Sequence, residues 1–170
     1  MYKTNIDRFD SAIGGLNNGE LITIGGRPAT GKTTTVIDIM NNISEQVDNK
    51  ILYFALDIND FFKNKINSNK IEIVENINSI NDIKIKCEEV STDGLSLVVV
   101  DYIQLVNAED EISIIKTLKQ LALELSVPII VITELGINSE FNVDIINNSD
   151  KIVCISKNDD DIEYSIVKNI

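Results

Sequence analysis

Short unbroken apolar runs alternate along this chain with segments whose apolar residues recur every three or four positions. Leu21-Ile22-Thr23-Ile24 is a run of the first kind, closed by Gly25-Gly26, and Ile51 to Leu56, Ile71 to Val74, Leu95 to Val100 and Pro128 to Thr133 follow it. Such runs predict strands buried on both faces, as in parallel sheets. Between them, Val36, Ile37, Met40 and Ile43 predict a helix from Gly31 to about Val47. Asp57 to Asn69, polar around Phe61 and Phe62, predicts a short helix. Ile80, Ile83 and Cys87 predict another, capped by Ser79 and stopped by Gly94, with Ile85 on a different face. Ile115, Leu118, Ala122 and Leu125 form a stripe within Glu109 to Leu125, which Ile112 and Leu121 widen.

The final segment changes character. Ile152 to Ser156 and Ile162 to Val167 flank Asn158-Asp159-Asp160-Asp161, the pattern of a hairpin. The expected fold is α/β: a mostly parallel twisted sheet, helices on both faces, and a C-terminal antiparallel β pair. Residues 1–170 are expected to form one domain, since a chain of this length buries about two-thirds of its surface.

Charge sharpens this picture. The chain carries 15 Lys or Arg against 27 Asp or Glu, a net charge of −12, and contains no His and no Trp. Arginine appears only at Arg8 and Arg27. Imidazole acid–base chemistry and His-bearing zinc sites are thereby excluded. Unaided binding to a nucleic-acid backbone, which depends on Lys and Arg displacing counterions, is doubtful. The lysines are scattered, and Lys63, Lys65 and Lys70, the nearest approach to a cluster, read as the solvated face of a short helix. No apolar run approaches the ~20 residues of a membrane helix, and no secretory pattern follows Met1, so a cytoplasmic location is expected. Cys87 and Cys154 lack metal-ligand spacing and read as two buried free thiols.

Gly26-Arg27-Pro28-Ala29-Thr30-Gly31-Lys32-Thr33 fits G-x-x-x-x-G-K-[ST] at every fixed position, after a strand and at the start of a helix. Glycines let backbone N–H groups turn inward on phosphates, and the helix N-terminus favours their charge. Lys32 is expected to reach the β and γ phosphates and Thr33 to hold Mg²⁺ through its hydroxyl, with Thr34 beside it. Asp101, directly after Leu97-Val98-Val99-Val100, is the expected metal-side carboxylate at the strand's C-terminal edge. Hydrolysis requires a group to orient water and groups to sense the γ phosphate. Asp57 and Glu134, each at a strand end, are the candidates for those two roles; a solvated acid is the alternative for each.

Ile13-Gly14-Gly15-Leu16, Gly19-Glu20-Leu21-Ile22 and the Arg27-Pro28 pair within the phosphate loop resemble the ATPase domain of DnaB-type replicative helicases. Val100-Asp101-Tyr102-Ile103-Gln104-Leu105 is similar to that family's Walker B signature, Asp-Tyr-Leu-Gln-Leu. Further similarity lies at Leu118 to Pro128 and at Ser149-Asp150. The resemblance runs from about Thr4 through nearly the whole chain. It implies a RecA-like P-loop NTPase that binds ATP and Mg²⁺ and is linked to DNA replication. As partners it implies either copies of this chain or a replicative helicase ring.

The departures from the family bear on activity. Ala55-Leu56-Asp57-Ile58 stands where the family has Ser-Leu-Glu-Met, so the expected catalytic acid is one methylene shorter. Thr133-Glu134-Leu135-Gly136-Ile137 stands where the family has Ser-Gln-Leu-Asn-Arg, exchanging a neutral sensor for an acid. Val167-Lys168-Asn169-Ile170 resembles a segment whose Lys and Arg act in trans on a neighbouring subunit's nucleotide; Lys168 is kept, and Ile170 occupies the arginine-finger position. The family's N-terminal primase-interacting domain has no counterpart in these residues. The loop after Walker B reads Asn107-Ala108-Glu109-Asp110-Glu111, which would repel DNA. Arg8 is a candidate contact for the base. Together these features imply ATP binding with slow hydrolysis at most, no unwinding by the chain alone, or else a non-hydrolysing accessory that docks on a helicase ring.

Overall fold

The computed structural model describes residues 1–170. Seven strands form one sheet: β1 Leu21–Gly26, β2 Lys50–Ala55, β3 Ile71–Val74, β4 Leu95–Asp101, β5 Ile129–Glu134, β6 Lys151–Asn158 and β7 Asp161–Asn169. Their order is β3-β2-β4-β5-β1-β6-β7. Every neighbouring pair is parallel except β6 and β7, an antiparallel hairpin whose register pairs Asn158 with Asp161. The expected terminal β pair is this hairpin, and its turn is Asp159-Asp160.

Side-chain alternation splits the strands between two cores. Leu52, Phe54, Val98, Val100, Ile129 and Val131 face one side, where α4 (Ile80–Ser91), α5 (Glu111–Leu125) and α6 (Val143–Asn148) cover them. Ile51, Tyr53, Leu97, Val99, Ile130 and Ile132 face the other, beneath α1 (Asp7–Ile13) and α2 (Lys32–Ser44). The two apolar clusters hold 22 and 21 buried residues, so neither face of the sheet is left wet. That balance is why the strands read as continuous apolar runs rather than alternating ones.

Several local expectations are corrected. The segment 57–69 is helical only over α3, Asp60–Lys63, capped by the Asn59 side chain, which accepts from the Phe62 N–H. Ser79 is the N-cap of α4 but makes no side-chain capping bond. The cap of α5 is Asp110, whose carboxylate accepts from Ser113 N–H at 2.6 Å. Of the three lysines near α3, only Lys63 belongs to the helix, and it pairs with Glu75 at 2.7 Å. Lys70 instead donates to the carbonyls of Ser44 and Val47 and closes the end of α2. Cys87 is buried as expected, whereas Cys154 is only half-buried.

Candidate functional site

β1 delivers the phosphate loop to the C-terminal edge of the sheet, and the loop runs directly into α2. Gly31 sits at the junction with φ +96°, a left-handed conformation that a side chain disfavours. A Cβ on Gly31 would also lie 2.8 Å from Ile162 Cδ1 of the hairpin, a side-chain tip that would have to shift. At the loop's other end, a Cβ on Gly26 would lie 2.6 Å from the Ile155 carbonyl oxygen. Ala29 also adopts a positive φ, 60°.

The helix that follows differs from the rest. The other five helices each carry an acid in the first turn: Asp7, Asp60, Asp82, Glu111 and Asp144. α2 carries none, and no side chain caps it. In a chain of net charge −12, this helix alone carries no acid of its own in its first turn.

Lys32 is 8% exposed, and its Nζ donates to the carbonyls of Gly26 at 2.9 Å and Arg27 at 2.7 Å. Burial lowers its pKa, and the nearby charges of Glu134, Asp101 and Cys154 oppose that shift. Thr33 Oγ1 donates to Asp101 Oδ2 at 2.9 Å, joining the start of α2 to the end of β4. Tyr53, buried in β2, donates its hydroxyl to the same Oδ2 at 2.8 Å. Burial raises the Asp101 pKa, and the two hydroxyl donors and Lys32 pull it back down. Burial, followed by the proximity of Asp101, raises the Tyr53 pKa, so this phenol stays protonated and donating.

A cleft of about 320 Å³ opens above these groups, lined by Ala29 to Thr34, Asp57, Phe62, Asp101, Tyr102 and Glu134. The sequence-selected residues Ala29, Thr30, Gly31, Lys32, Thr33, Thr34, Asp57, Asp101 and Glu134 therefore meet in one place. Gly26, Arg27 and Pro28 do not line it. Arg27 and Pro28 face a second hollow with Ser139, Cys154 and Lys157. Arg8 does not line the cleft: its guanidinium donates to Asp161 Oδ2 at 3.3 Å and to the Ile162 carbonyl at 3.5 Å on the hairpin. Asp57 and Glu134 are exposed on the cleft wall.

Two polar residues of the site carry no role in the sequence reading. Tyr53 lies inside an apolar run and reads as core. Gln104 sits in a 3₁₀ turn, Ile103–Leu105, and its Nε2 donates to Thr133 Oγ1 at 2.9 Å and to the Glu134 carbonyl at 3.1 Å. The one available signal for Tyr53 is a hydroxyl in an otherwise apolar strand, since a buried phenol requires a partner.

The residues fit a magnesium–nucleotide. The Thr33 hydroxyl and Asp101 carboxylate are hard oxygen donors at the foot of the phosphate loop, and Lys32 supplies the cation beside them. No group of three or more Asp, Glu or Cys forms a metal cage anywhere in the chain. Mg²⁺ suits such a place, because it characteristically takes one or two protein oxygens and completes its shell with water and phosphate.

A sequence profile of the DnaB-like helicase C-terminal domain matches residues 2–61 and 57–145. The replicative DNA helicase DnaB of Mycoplasma genitalium is 27% identical over 176 aligned positions, covering 76% of this chain and 38% of that protein. The chain thus spans well under half the length of such relatives. A solved DnaB-like replicative helicase, described with its interactions with primase, superposes with a TM-score of 0.82 at 18% identity. That superposition covers 98% of this chain and 56% of the other. A KaiC-like protein of Pyrococcus horikoshii superposes with a TM-score of 0.73 at 20% identity, covering 99% and 88% of the two chains. These structures establish a RecA-like fold, and no helix is long and apolar enough to cross a membrane. With the profile matched across most of its length, the chain belongs to the DnaB-like helicase C-terminal domain family.

Proposed function

We propose that this chain is a RecA-like domain, residues 1–170, that binds ATP and Mg²⁺ in the cytoplasm in the service of DNA replication. It hydrolyses ATP slowly and does not unwind DNA alone. The observation that carries the reading is the Thr33–Asp101 hydrogen bond, which unites the phosphate loop with the second acid across 68 residues of sequence. Bound Mg²⁺ supplies charge neutralisation at the phosphates. Lys32, fixed on two loop carbonyls, is the protein cation for the same oxygens. The N-terminus of α2, with no acid of its own in the first turn, adds its amides. Asp57, exposed at the end of β2, accepts a hydrogen bond from the attacking water, and Glu134 is the polar contact beside the γ phosphate.

Slow turnover follows from what surrounds Lys32. It is the only basic residue lining the cleft. Loss of a trans arginine costs roughly 10³–10⁵ in rate. Binding of labelled ATP and GTP with and without Mg²⁺, beside a steady-state ATPase assay and a Lys32→Ala control, tests the proposal. Mg²⁺-dependent ATP binding with turnover far below one per second supports it. Wild-type binding no tighter than that of Lys32→Ala refutes nucleotide binding, and brisk turnover by the isolated chain refutes the slow-hydrolysis part.

A second reading, a non-hydrolysing accessory seated on a replicative helicase ring, draws on Lys168. Its Nζ donates to the carbonyls of Ile146 at 2.8 Å and Ser149 at 2.6 Å, so the amine is engaged within its own subunit. Ile170 beside it is 81% exposed and uncharged. Association with a DnaB-type ring, compared with self-association, separates the two readings by mass measurement in the presence of nucleotide.

A further inference from the structure

The carboxylate of Asp101 is asymmetric in its contacts. Oδ2 receives two hydroxyl groups, from Thr33 at 2.9 Å and Tyr53 at 2.8 Å. Oδ1 has no side-chain donor, yet no buried side-chain oxygen in the protein lacks a partner. Oδ1 is therefore the oxygen open to the cleft. The Tyr53 ring is 0% exposed, clamped in the core beneath α2, so its hydroxyl is a fixed point rather than a mobile contact.

Strand register places it there. β2 and β4 pair Tyr53 with Val99 and Ala55 with Asp101, so Tyr53 and Asp101 are diagonal neighbours on one face. The side chain spans that diagonal from below while Thr33 approaches from α2. A carboxylate held by a single hydroxyl can rotate about its terminal bond, whereas two donors converging on one oxygen from different elements fix its plane. The fixed plane presents Oδ1 to the cleft, and the hydroxyl proton of Thr33 is committed to Oδ2, leaving the hydroxyl lone pairs available.

We propose that Tyr53 is a positioning residue for Mg²⁺: through Oδ2 it sets the orientation in which Asp101 and Thr33 meet the metal that accompanies the nucleotide. This rests on the proposed binding of a magnesium–nucleotide and adds a residue to it. Residues that orient metal ligands characteristically change metal affinity by about 10–100-fold when removed.

The test is a Mg²⁺ titration of Tyr53→Phe, which deletes the hydroxyl and keeps the ring. Binding of a fluorescent ATP analogue is followed at fixed nucleotide while Mg²⁺ is varied. The expected result is a Mg²⁺ midpoint about tenfold higher, with nucleotide affinity in EDTA unchanged. A purely structural tyrosine would lower thermal stability and weaken binding equally with and without the metal, and that result overturns the proposal, as does an unchanged midpoint. Should Tyr53→Phe fail to fold, wild-type protein labelled with 3-fluorotyrosine decides. The Tyr53 fluorine resonance, assigned by replacing the other tyrosines, shifts when Mg²⁺ joins nucleotide-saturated protein, and a static resonance refutes the role. Wild-type binding that ignores Mg²⁺ overturns the magnesium–nucleotide reading as well, which separates that failure from a failure of Tyr53 alone.

Discussion

Gln104 and Glu134 exchange a pair of hydrogen bonds across the tips of β4 and β5. The Gln104 Nε2 donates to the Glu134 carbonyl at 3.1 Å, and the Glu134 N–H donates to Gln104 Oε1 at 3.2 Å. The same Nε2 reaches Thr133 Oγ1, so one amide fixes the backbone that carries the cleft's third acid. Gln104→Ala is expected to cost about 1 kcal/mol, the net value of such bonds. Gln104→Glu removes the donors and places a further carboxylate beside Glu134 at the cleft's rim. It is expected to weaken ATP binding more than the alanine variant does while unfolding at a similar urea concentration. Equal ATP affinities for the two variants would show that only the lost clamp matters.

Asp101 sets stability against function. Burial raises its folded pKa above the ordinary value of 3.8. A carboxyl raised in this way contributes stability that is fully present below 3.8 and lost as pH rises through the folded pKa. Above its folded pKa the nucleotide-free protein therefore bears a buried charge that it lacks in acid. Asp101→Asn is expected to melt higher than wild type at pH 7 without nucleotide, with the difference shrinking on acidification. The Mg²⁺-dependent part of nucleotide binding should be absent from it. Scanning calorimetry across pH checks the first point, and an asparagine variant that melts lower at pH 7 contradicts it.

At the opposite edge of the sheet, Lys151 is 3% exposed, and its Nζ donates to Glu20 Oε2 at 2.7 Å and to the Gly15 carbonyl at 2.9 Å. Breaking a buried pair from one side leaves a charge stranded and costs about 3–5 kcal/mol. Glu20→Ala is expected to destabilise by that order, and the double variant Glu20→Gln with Lys151→Met by less. Urea denaturation midpoints measure both. A double variant as unstable as Glu20→Ala would mean that packing, rather than the stranded ammonium, sets the cost.

The parts of this protein legible in its sequence are those built from local pattern. β1 to β5 are apolar because both sheet faces are covered, and α2, α4 and α5 are long enough for a stripe to repeat. α1, with only Phe9 and Ile13 buried, and α6, with only Ile145, give periodicity too little length to register. The phosphate loop and Asp101 were legible because strand ends deliver them to one edge. Tyr53 was not, since its role arises from the register of β2 on β4, a pairing between residues far apart in sequence. Gln104 likewise acts on β5 only because that strand inserts between β4 and β1. Arg8, the candidate base contact from the family's pre-loop segment, has its guanidinium on Asp161 of the hairpin, a long-range contact that no local pattern announces.

Glu134 offers the sharpest test of how the cleft treats charge. Asp57, Asp101 and Glu134 line it together with a single cation, Lys32, whose pKa burial lowers and Glu134 partly restores. An incoming triphosphate brings more negative charge to that wall than a diphosphate does. Glu134→Gln keeps the side chain's size, and the backbone bonds to Gln104 do not involve the carboxylate. The variant is expected to bind ATP several-fold more tightly, with a smaller gain for ADP, at low ionic strength. Because exposed charges are screened beyond a Debye length of about 10 Å at 0.1 M salt, the gain should shrink as salt is added. Titrations of both nucleotides at two salt concentrations measure this. A loss of ATP affinity in Glu134→Gln would instead show that the acid's charge serves nucleotide binding rather than opposes it.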